Sequence, residues 1–265
     1  MSPEELQKQV RAAAELAAIG GEIALRWFRT PLAVANKADG GSFDPVTAAD
    51  REVEAFLRAE LARRYPQHRI LGEEEGLGGG GGPWRWVVDP IDGTRSFMSG
   101  HPLWGVMIGL DDGERPLGGV VRVPFLRETF AGTASQTWLH DDRGEHVLHA
   151  RDIVALEDAV LYCTHPDTVG EGRQRAAFER LASMCRMVRY GGDCYSYCLL
   201  ALGQVDLVVE GMLQPYDVIP VAPIVQGAGG VISSWTGAAP FAGGNVVAAA
   251  HGELHACALD VLQSP

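Results

Sequence analysis

One segment of nine residues, WVVDPIDGT at positions 86–94, places the tightest constraint on the fold of this chain. Its leading valines suit a buried strand. Pro90 has no amide hydrogen to donate to a strand ladder, so the segment predicts a strand that ends at Pro90. Asp89 and Asp92 lie three residues apart on the predicted turn. The fold must therefore bring an acidic turn to the end of a buried strand.

The residues after this turn are typical of an anion site. Gly93 and Thr94 follow the second aspartate, and residues 95–98 can begin a short helix. The amides of Gly93 and Thr94 would then point outward from a helix N-terminus, where anions bind. Two carboxylates beside an anion site predict a divalent cation that bridges the protein and a substrate phosphate. The segment alone leaves an alternative open, an ordinary turn in which glycine supplies a positive φ.

The overall composition narrows the class of protein. A chain of 265 residues allows one large domain or two closely associated subdomains. Its net charge of −12 argues against a nucleic-acid-binding surface. No stretch approaches the roughly 20 apolar residues of a membrane span, and the acidic N-terminus has no signal-peptide pattern. The five cysteines, an odd number without paired short spacing, indicate reduced thiols and a cytoplasmic protein.

The pattern of predicted elements divides the chain into two parts. Residues 1–135 predict helices packed on a sheet rich in antiparallel pairs, and residues 136–265 predict alternating strands and helices that complete the site. The first part contains two loops that we expect to be mobile without ligand. One spans residues 31–46 and includes Lys37. The other spans residues 72–82, where glycine dominates and an apolar face is lacking.

Acidic residues reach the predicted turn from separate elements. The candidate metal ligands are Glu73, Asp89, Asp92 and Asp217. Glu73 follows a short strand, and Asp217 is predicted to begin an apolar helix that runs to Ala228. Each has a structural alternative, a solvated loop for Glu73 and a helix cap for Asp217. Asp50, near the start of the second helix, suits simple complementation of the helix dipole. Oxygen ligands without a histidine or cysteine cluster favour Mg²⁺ over zinc.

Taken together, these motifs resemble the inositol monophosphatase superfamily, which comprises lithium-sensitive, magnesium-dependent phosphomonoesterases. The matching segments are residues 44–50, 72–74, 89–94, 216–217 and 227–230, in the order and spacing of the family. The details are most similar to the histidinol-phosphate phosphatase branch. They lie in residues 93–100, 102–105, 189–195 and 214–217. Tyr216 stands where inositol phosphatases usually have Trp, and Gln226 where they often have Glu; neither change removes a ligand.

The resemblance implies a layered α-β-α-β-α sandwich and a homodimer. It implies two or three Mg²⁺ ions, and the expected ligands are Glu73, Asp89, the Ile91 carbonyl, Asp92 and Asp217. Asp50, Glu73 and Thr94 would be the catalytic residues that orient the attacking water. The Gly93 and Thr94 amides would hold the phosphate, and Lys37 would close over the metal site.

The same resemblance places two further carboxylates near the leaving group of the substrate. These are Asp193, after two glycines, and Glu210, at the end of a predicted strand over residues 205–209. Each has a structural alternative, a helix cap for Asp193 and a solvated strand end for Glu210. An additional pair of carboxylates would suit a leaving group that carries positive charge.

The expected function is therefore hydrolysis of a small phosphomonoester by metal-activated water. The favoured substrate is L-histidinol phosphate, which belongs to histidine biosynthesis. The alternatives are inositol 1-phosphate or a related sugar phosphate, and a noncatalytic scaffold that keeps the fold. Metal ions can neutralise the phosphate oxygens, activate the water and stabilise the leaving alkoxide. The sequence shows no Ser-His-Asp or Cys-His arrangement, so a covalent phosphoenzyme is not expected.

Overall fold

The computed structural model of the chain describes residues 1–31, 34–36 and 45–264, and Lys37 lies outside them. The α-helices are α1 (Pro3–Leu25), α2 (Ala48–Arg64), α3 (Thr94–Met98), α4 (Arg173–Met184), α5 (Cys194–Ala201), α6 (Pro215–Val218), α7 (Ala222–Gly227) and α8 (Gly252–Gln263). Short 3-10 helices span Pro124–Leu126, Leu156–Asp158 and Pro166–Val169.

The strands of the first half are β1 (Val34–Asn36), β2 (Pro45–Thr47), β3 (Arg69–Gly72), β4 (Gly76–Gly79), β5 (Arg85–Asp92), β6 (Gly105–Asp111), β7 (Pro116–Val123) and β8 (Glu128–Thr133). Those that follow are β9 (Gln136–Asp141), β10 (Gly144–Val147), β11 (Val160–Cys163), β12 (Met187–Tyr190), β13 (Leu207–Leu213), β14 (Val231–Ser234) and β15 (Gly244–Ala249).

Two large sheets organise these strands. The first has eight strands in the order β10-β9-β8-β7-β6-β5-β3-β4 and is antiparallel except between β3 and β5. The second has five strands in the order β12-β11-β13-β15-β14, with β11 parallel to both of its neighbours. β1 and β2 pair separately.

The helices and sheets stack in five layers. α1 and α2 cover the outer face of the first sheet, where Leu57 and Val88 are buried together. α5 and α7 lie between the sheets, in a core that includes Val121 and Val208. α4 and α8 cover the outer face of the second sheet around Phe178. The predicted α-β-α-β-α sandwich is confirmed.

The central strand does not end at Pro90, as the sequence predicted. β5 continues to Asp92, and its register against β6 shifts between Asp89, opposite Met107, and Asp92, opposite Gly105. Three steps along β5 thus correspond to two along β6, which is the geometry of a β-bulge. The prediction was wrong because the missing amide of Pro90 falls within this bulge, where regular ladder bonding is interrupted.

Three other expectations need correction. Residues 72–82 are not wholly a loop, since Gly76–Gly79 forms a strand that pairs with β3 at the sheet edge, while their mobility without ligand stays a prediction. The helix expected from Asp217 to Ala228 is divided into α6 and α7, because Pro220 lacks the amide that a continuous helix requires. The strand expected at residues 205–209 runs from Leu207 to Leu213, so it continues past Glu210.

The first sheet extends to Val147, and the second begins at Val160. The hairpin between β8 and β9 spans the expected boundary at residues 135/136, and the division into subdomains stays a prediction. No helix of the described residues is long and apolar enough to cross a membrane. All five cysteines are free thiols, as predicted.

Candidate active site

Three aspartates from two elements meet at the bulged end of β5. Asp89 and Asp92 belong to β5, Asp217 lies on α6, and each offers a carboxylate oxygen within 4.8 Å of the other two. Backbone amides hold all three carboxylates in place. The donors are the amides of Ile91 to Asp89 at 3.0 Å, Cys194 to Asp92 at 2.6 Å and Gln214 to Asp217 at 2.7 Å. The cluster is therefore built by local backbone geometry as well as by packing.

The electrostatics of this cluster favour a cation. Burial raises the pKa of Asp89, and the charges of Glu73, Asp92 and Asp217 raise it further. Burial and then Asp92 raise the pKa of Asp217 in the same way. Within the described residues, no arginine, lysine or histidine forms an ion pair with these three aspartates. Converging oxygens that repel one another are the donor set of a hard divalent metal, so these residues fit Mg²⁺.

Two further predicted ligands adjoin the aspartates. Glu73 follows β3, its amide donates to the Val88 carbonyl at 3.1 Å, and the charge of its carboxylate helps to raise the pKa of Asp89. Ile91 is buried, and its carbonyl accepts a hydrogen bond of 3.1 Å from the Thr94 hydroxyl. The parallel pairing of β3 with β5 thus brings Glu73 to the acidic turn. The structural alternative for Glu73, a residue of a solvated loop without a role in the site, therefore does not apply.

The predicted phosphate-binding amides lie at the start of α3. Gly93 precedes this helix with φ of 82°, a left-handed conformation that favours glycine. A Cβ atom at Gly93 would lie 3.0 Å from the carboxyl group of Asp193. The glycine therefore serves both the turn and the close approach of α5. Thr94 is the first residue of α3.

Asp50 has a more specific role in the fold than dipole complementation. It is fully buried in the first turn of α2. Its carboxylate accepts hydrogen bonds from the amide of Thr47 at 2.9 Å and from its hydroxyl at 2.5 Å. The pair forms a capping box. A catalytic role for Asp50 stays a prediction. Asp217 likewise belongs to a capping box with Gln214 while it faces the other aspartates.

A cavity of about 120 Å³ opens beside this acidic cluster. The residues that line it are Asp92, Thr164, Thr168, Asp193, Cys194, Tyr197, Glu210, Gly211, Leu213 and Asp217. The structure thus brings both predicted leaving-group residues to the same space as two of the predicted ligands. Sequence reasoning missed Tyr197, although it follows Asp193 by four residues, a spacing of about one helical turn that indicates neighbouring side chains.

Asp193 does not cap a helix with its side chain, and Glu210 is not a solvated strand end, so neither structural alternative left open by the sequence applies. The Asp193 carboxylate makes no capping bond to α5 and instead accepts a hydrogen bond of 3.0 Å from the Ser96 hydroxyl. Glu210 is only 2% exposed and lies inside β13, so it is not a solvated strand end. Its carboxylate accepts from the amide and hydroxyl of Thr164, at 2.8 and 2.9 Å. Both carboxylates are positioned toward the cavity.

Comparison with known proteins decides the family. The model of the inositol monophosphatase family matches residues 5–264, nearly the whole chain. The chain belongs to the inositol monophosphatase family. A chloroplastic bifunctional phosphatase of Arabidopsis thaliana is 35% identical over 99% of this chain and 77% of its own. A histidinol-phosphatase of Chlorobaculum parvum is 33% identical over 86% of each chain.

A solved inositol monophosphatase from Zymomonas mobilis is 36% identical, covers 100% of both chains and has a TM-score of 0.86. Membership in the inositol monophosphatase family makes this chain a hydrolase of phosphoric monoesters. Enzymes of the family depend on metal ions, in agreement with the buried acidic cluster.

The metal-free enzyme is expected to lose stability as the pH rises. Burial raises the pKa of Asp193 from 3.8 to about 7 and the pKa of Glu210 from 4.5 to about 8. A carboxyl group whose pKa is higher in the folded state stabilises the fold below its unfolded pKa. That stability is lost as the pH rises through the folded pKa. The free energy of unfolding should therefore fall between about pH 4 and about pH 8.

Denaturant unfolding in the presence of a chelator, at a series of pH values, measures this loss. The Asp193→Asn and Glu210→Gln variants serve as references because each removes one of the two titrations. The wild type should become progressively less stable relative to both variants as the pH rises. A stability difference that stays constant across the range would contradict the raised pKa values.

Proposed function

We propose that this phosphatase hydrolyses L-histidinol phosphate to L-histidinol and phosphate. The observation that carries the proposal is the pair of carboxylates, Asp193 and Glu210, in the cavity beside the acidic cluster. The leaving group of L-histidinol phosphate carries an ammonium and an imidazole, whereas inositol carries only hydroxyl groups. Two enclosed carboxylates outside the proposed metal ligands suit a cationic leaving group, since a buried charge needs a partner. The histidinol-phosphatase among the relatives supports the same substrate.

The proposed metal ligands are Glu73, Asp89, Asp92, Asp217 and the Ile91 carbonyl, which would together hold two or three Mg²⁺ ions. Bound Mg²⁺ would supply charge to the phosphate oxygens and lower the pKa of a water molecule. The protein's own residues then bind and orient the reactants.

The Gly93 and Thr94 amides would donate to the phosphate from the start of α3. Glu73, Asp50 and the Thr94 hydroxyl would orient the attacking water and hold its proton. Lys37 would close over the phosphate as a loop cation. We further propose that the protein is a cytoplasmic homodimer that acts in histidine biosynthesis.

Neutral replacements of the two leaving-group carboxylates should reduce turnover of L-histidinol phosphate selectively. Asp193→Asn keeps an acceptor for Ser96, and Glu210→Gln keeps one for Thr164, so each mainly removes charge. A charge-assisted hydrogen bond contributes about 1.5–3 kcal/mol, so kcat/KM should fall roughly tenfold or more. Turnover of phenyl phosphate, whose leaving group is neutral, should change far less.

Asp167→Asn is the matched control. Asp167 is an exposed carboxylate that pairs with Arg175 at 3.1 Å, close in sequence to the cavity residue Thr168. Its replacement removes a nearby charge without altering the cavity lining. An equal loss for both substrates in the Asp193 and Glu210 variants would contradict a contact with the leaving group.

The deciding experiment compares kcat/KM of the wild type for L-histidinol phosphate and for inositol 1-phosphate. A higher value for L-histidinol phosphate is expected. A clear preference for the inositol ester would overturn the substrate assignment and favour the function named for the Zymomonas mobilis structure. Absence of phosphate release from every ester in a broad panel would instead favour a noncatalytic role.

A further inference from the structure

Tyr197 lies in α5, one helical turn after Asp193, and contributes to the lining of the active-site cavity. Its side chain is 3% exposed, and its ring packs in the core between the two sheets. Within the described residues, its hydroxyl oxygen is buried and has no hydrogen-bond partner. A buried hydroxyl without a partner destabilises a fold. Of the buried hydroxyls without a partner among the described residues, that of Tyr197 belongs to a residue that lines the cavity, so a ligand bound there can supply the partner.

Tyr197 lines the cavity together with three of its carboxylates, those of Asp92, Glu210 and Asp217. Burial raises the pKa of this phenol, and the nearby charges of Glu210, Asp217 and Asp92 raise it further. The phenol thus lies within the electrostatic reach of the carboxylates that line this cavity. The phenol stays protonated and can both donate and accept a hydrogen bond.

Other hydroxyl groups at this cavity are already engaged within the chain. The Thr164 hydroxyl donates to the Glu210 carboxylate at 2.9 Å, and the Thr168 hydroxyl donates to the His165 carbonyl at 2.7 Å. A cationic leaving group keeps the neighbouring carboxylates ionised, and an ionised carboxylate accepts hydrogen bonds but donates none. Tyr197 therefore supplies a side-chain donor in a cavity otherwise rich in acceptors.

We propose that Tyr197 is a specificity-determining residue whose hydroxyl forms a hydrogen bond with the leaving group of the substrate. This inference rests on the proposed function and deepens it. The carboxylates recognise the donor atoms of the leaving group, and Tyr197 recognises an acceptor atom. In L-histidinol phosphate, this acceptor is the unprotonated ring nitrogen of the imidazole. A leaving group without polar atoms, such as that of phenyl phosphate, gains nothing from the contact.

The Tyr197→Phe variant tests the proposal because it removes only the hydroxyl group. The ratio of kcat/KM for L-histidinol phosphate to kcat/KM for phenyl phosphate should fall roughly tenfold, the effect of one lost hydrogen bond. The thermal unfolding midpoint should equal or exceed that of the wild type, since no hydrogen bond within the described protein is lost. A merely structural tyrosine would lower stability and leave the ratio unchanged.

Ser196→Ala is the matched control. Ser196 is the preceding residue of α5, and its hydroxyl is also buried without a partner in the described part of the chain. Ser196 is not among the residues that line the cavity. Loss of its hydroxyl should leave the substrate ratio at the wild-type value.

Two outcomes would overturn the role of Tyr197. An unchanged ratio in Tyr197→Phe would show that the hydroxyl does not contact the leaving group. An equal loss for both esters would place its effect at the phosphate or metal instead. If the wild type prefers inositol 1-phosphate, the substrate assignment fails separately. The ratio is then measured with that ester, and only a selective loss in Tyr197→Phe upholds the proposal.

Discussion

Removal of divalent metal is expected to abolish phosphate release, and addition of Mg²⁺ to restore it. Asp89, Asp92 and Asp217 converge within 4.8 Å, and Glu73 adjoins them through Asp89. Without a cation, these groups repel one another in a buried setting, and the phosphate oxygens would add further negative charge. Turnover should therefore require a cation at this cluster. Full activity after exhaustive chelation would remove metal-assisted hydrolysis from consideration.

Binding of Mg²⁺ to this cluster should also stabilise the fold. A ligand that binds only the native state at 100 times its Kd adds about 2.7 kcal/mol to the free energy of unfolding. Thermal unfolding with and without Mg²⁺, at matched ionic strength, measures this effect independently of catalysis. Stabilisation that persists unchanged in an Asp89→Asn, Asp92→Asn double variant would place the ion elsewhere.

Asp92→Asn should reduce the rate of phosphate release by a factor of at least ~10², or about 3 kcal/mol of transition-state stabilisation. Asn keeps an oxygen that can accept the hydrogen bond from the Cys194 amide, now 2.6 Å from the Asp92 carboxylate. The variant should therefore fold while it lacks the ligand charge. The measurement is steady-state turnover at saturating Mg²⁺, with thermal unfolding as a check of folding.

Asp112→Asn provides a comparison for this loss. Asp112 accepts hydrogen bonds from the Glu114 and Arg115 amides on the turn between β6 and β7, and it does not belong to the acidic cluster. Its replacement should leave turnover unchanged. A near-wild-type rate for Asp92→Asn would exclude Asp92 from the reacting centre.

Local patterns predicted the acidic turn because its chemistry is encoded in neighbouring residues. The spacing of Asp89, Asp92 and Gly93 indicated carboxylates at a strand end followed by a helix start, and β5 and α3 have these positions. The same local reasoning misplaced the strand end at Pro90. A bulge depends on the register of β6, and residues of β5 alone do not specify that register.

The sequence by itself determined which residue types were present for metal and phosphate chemistry, and where turns and helix starts would expose them. Only the tertiary structure decided the surroundings of Asp193, Glu210 and Tyr197. Tyr197 lies in α5, Asp193 immediately precedes that helix, and Glu210 lies in β13. The packing of the middle layer against the second sheet brings them around one cavity. Burial and distance between remote segments depend on packing, which local propensity does not specify. The same packing makes Glu210 a buried carboxylate and leaves the buried Tyr197 hydroxyl without a hydrogen-bond partner among the described residues.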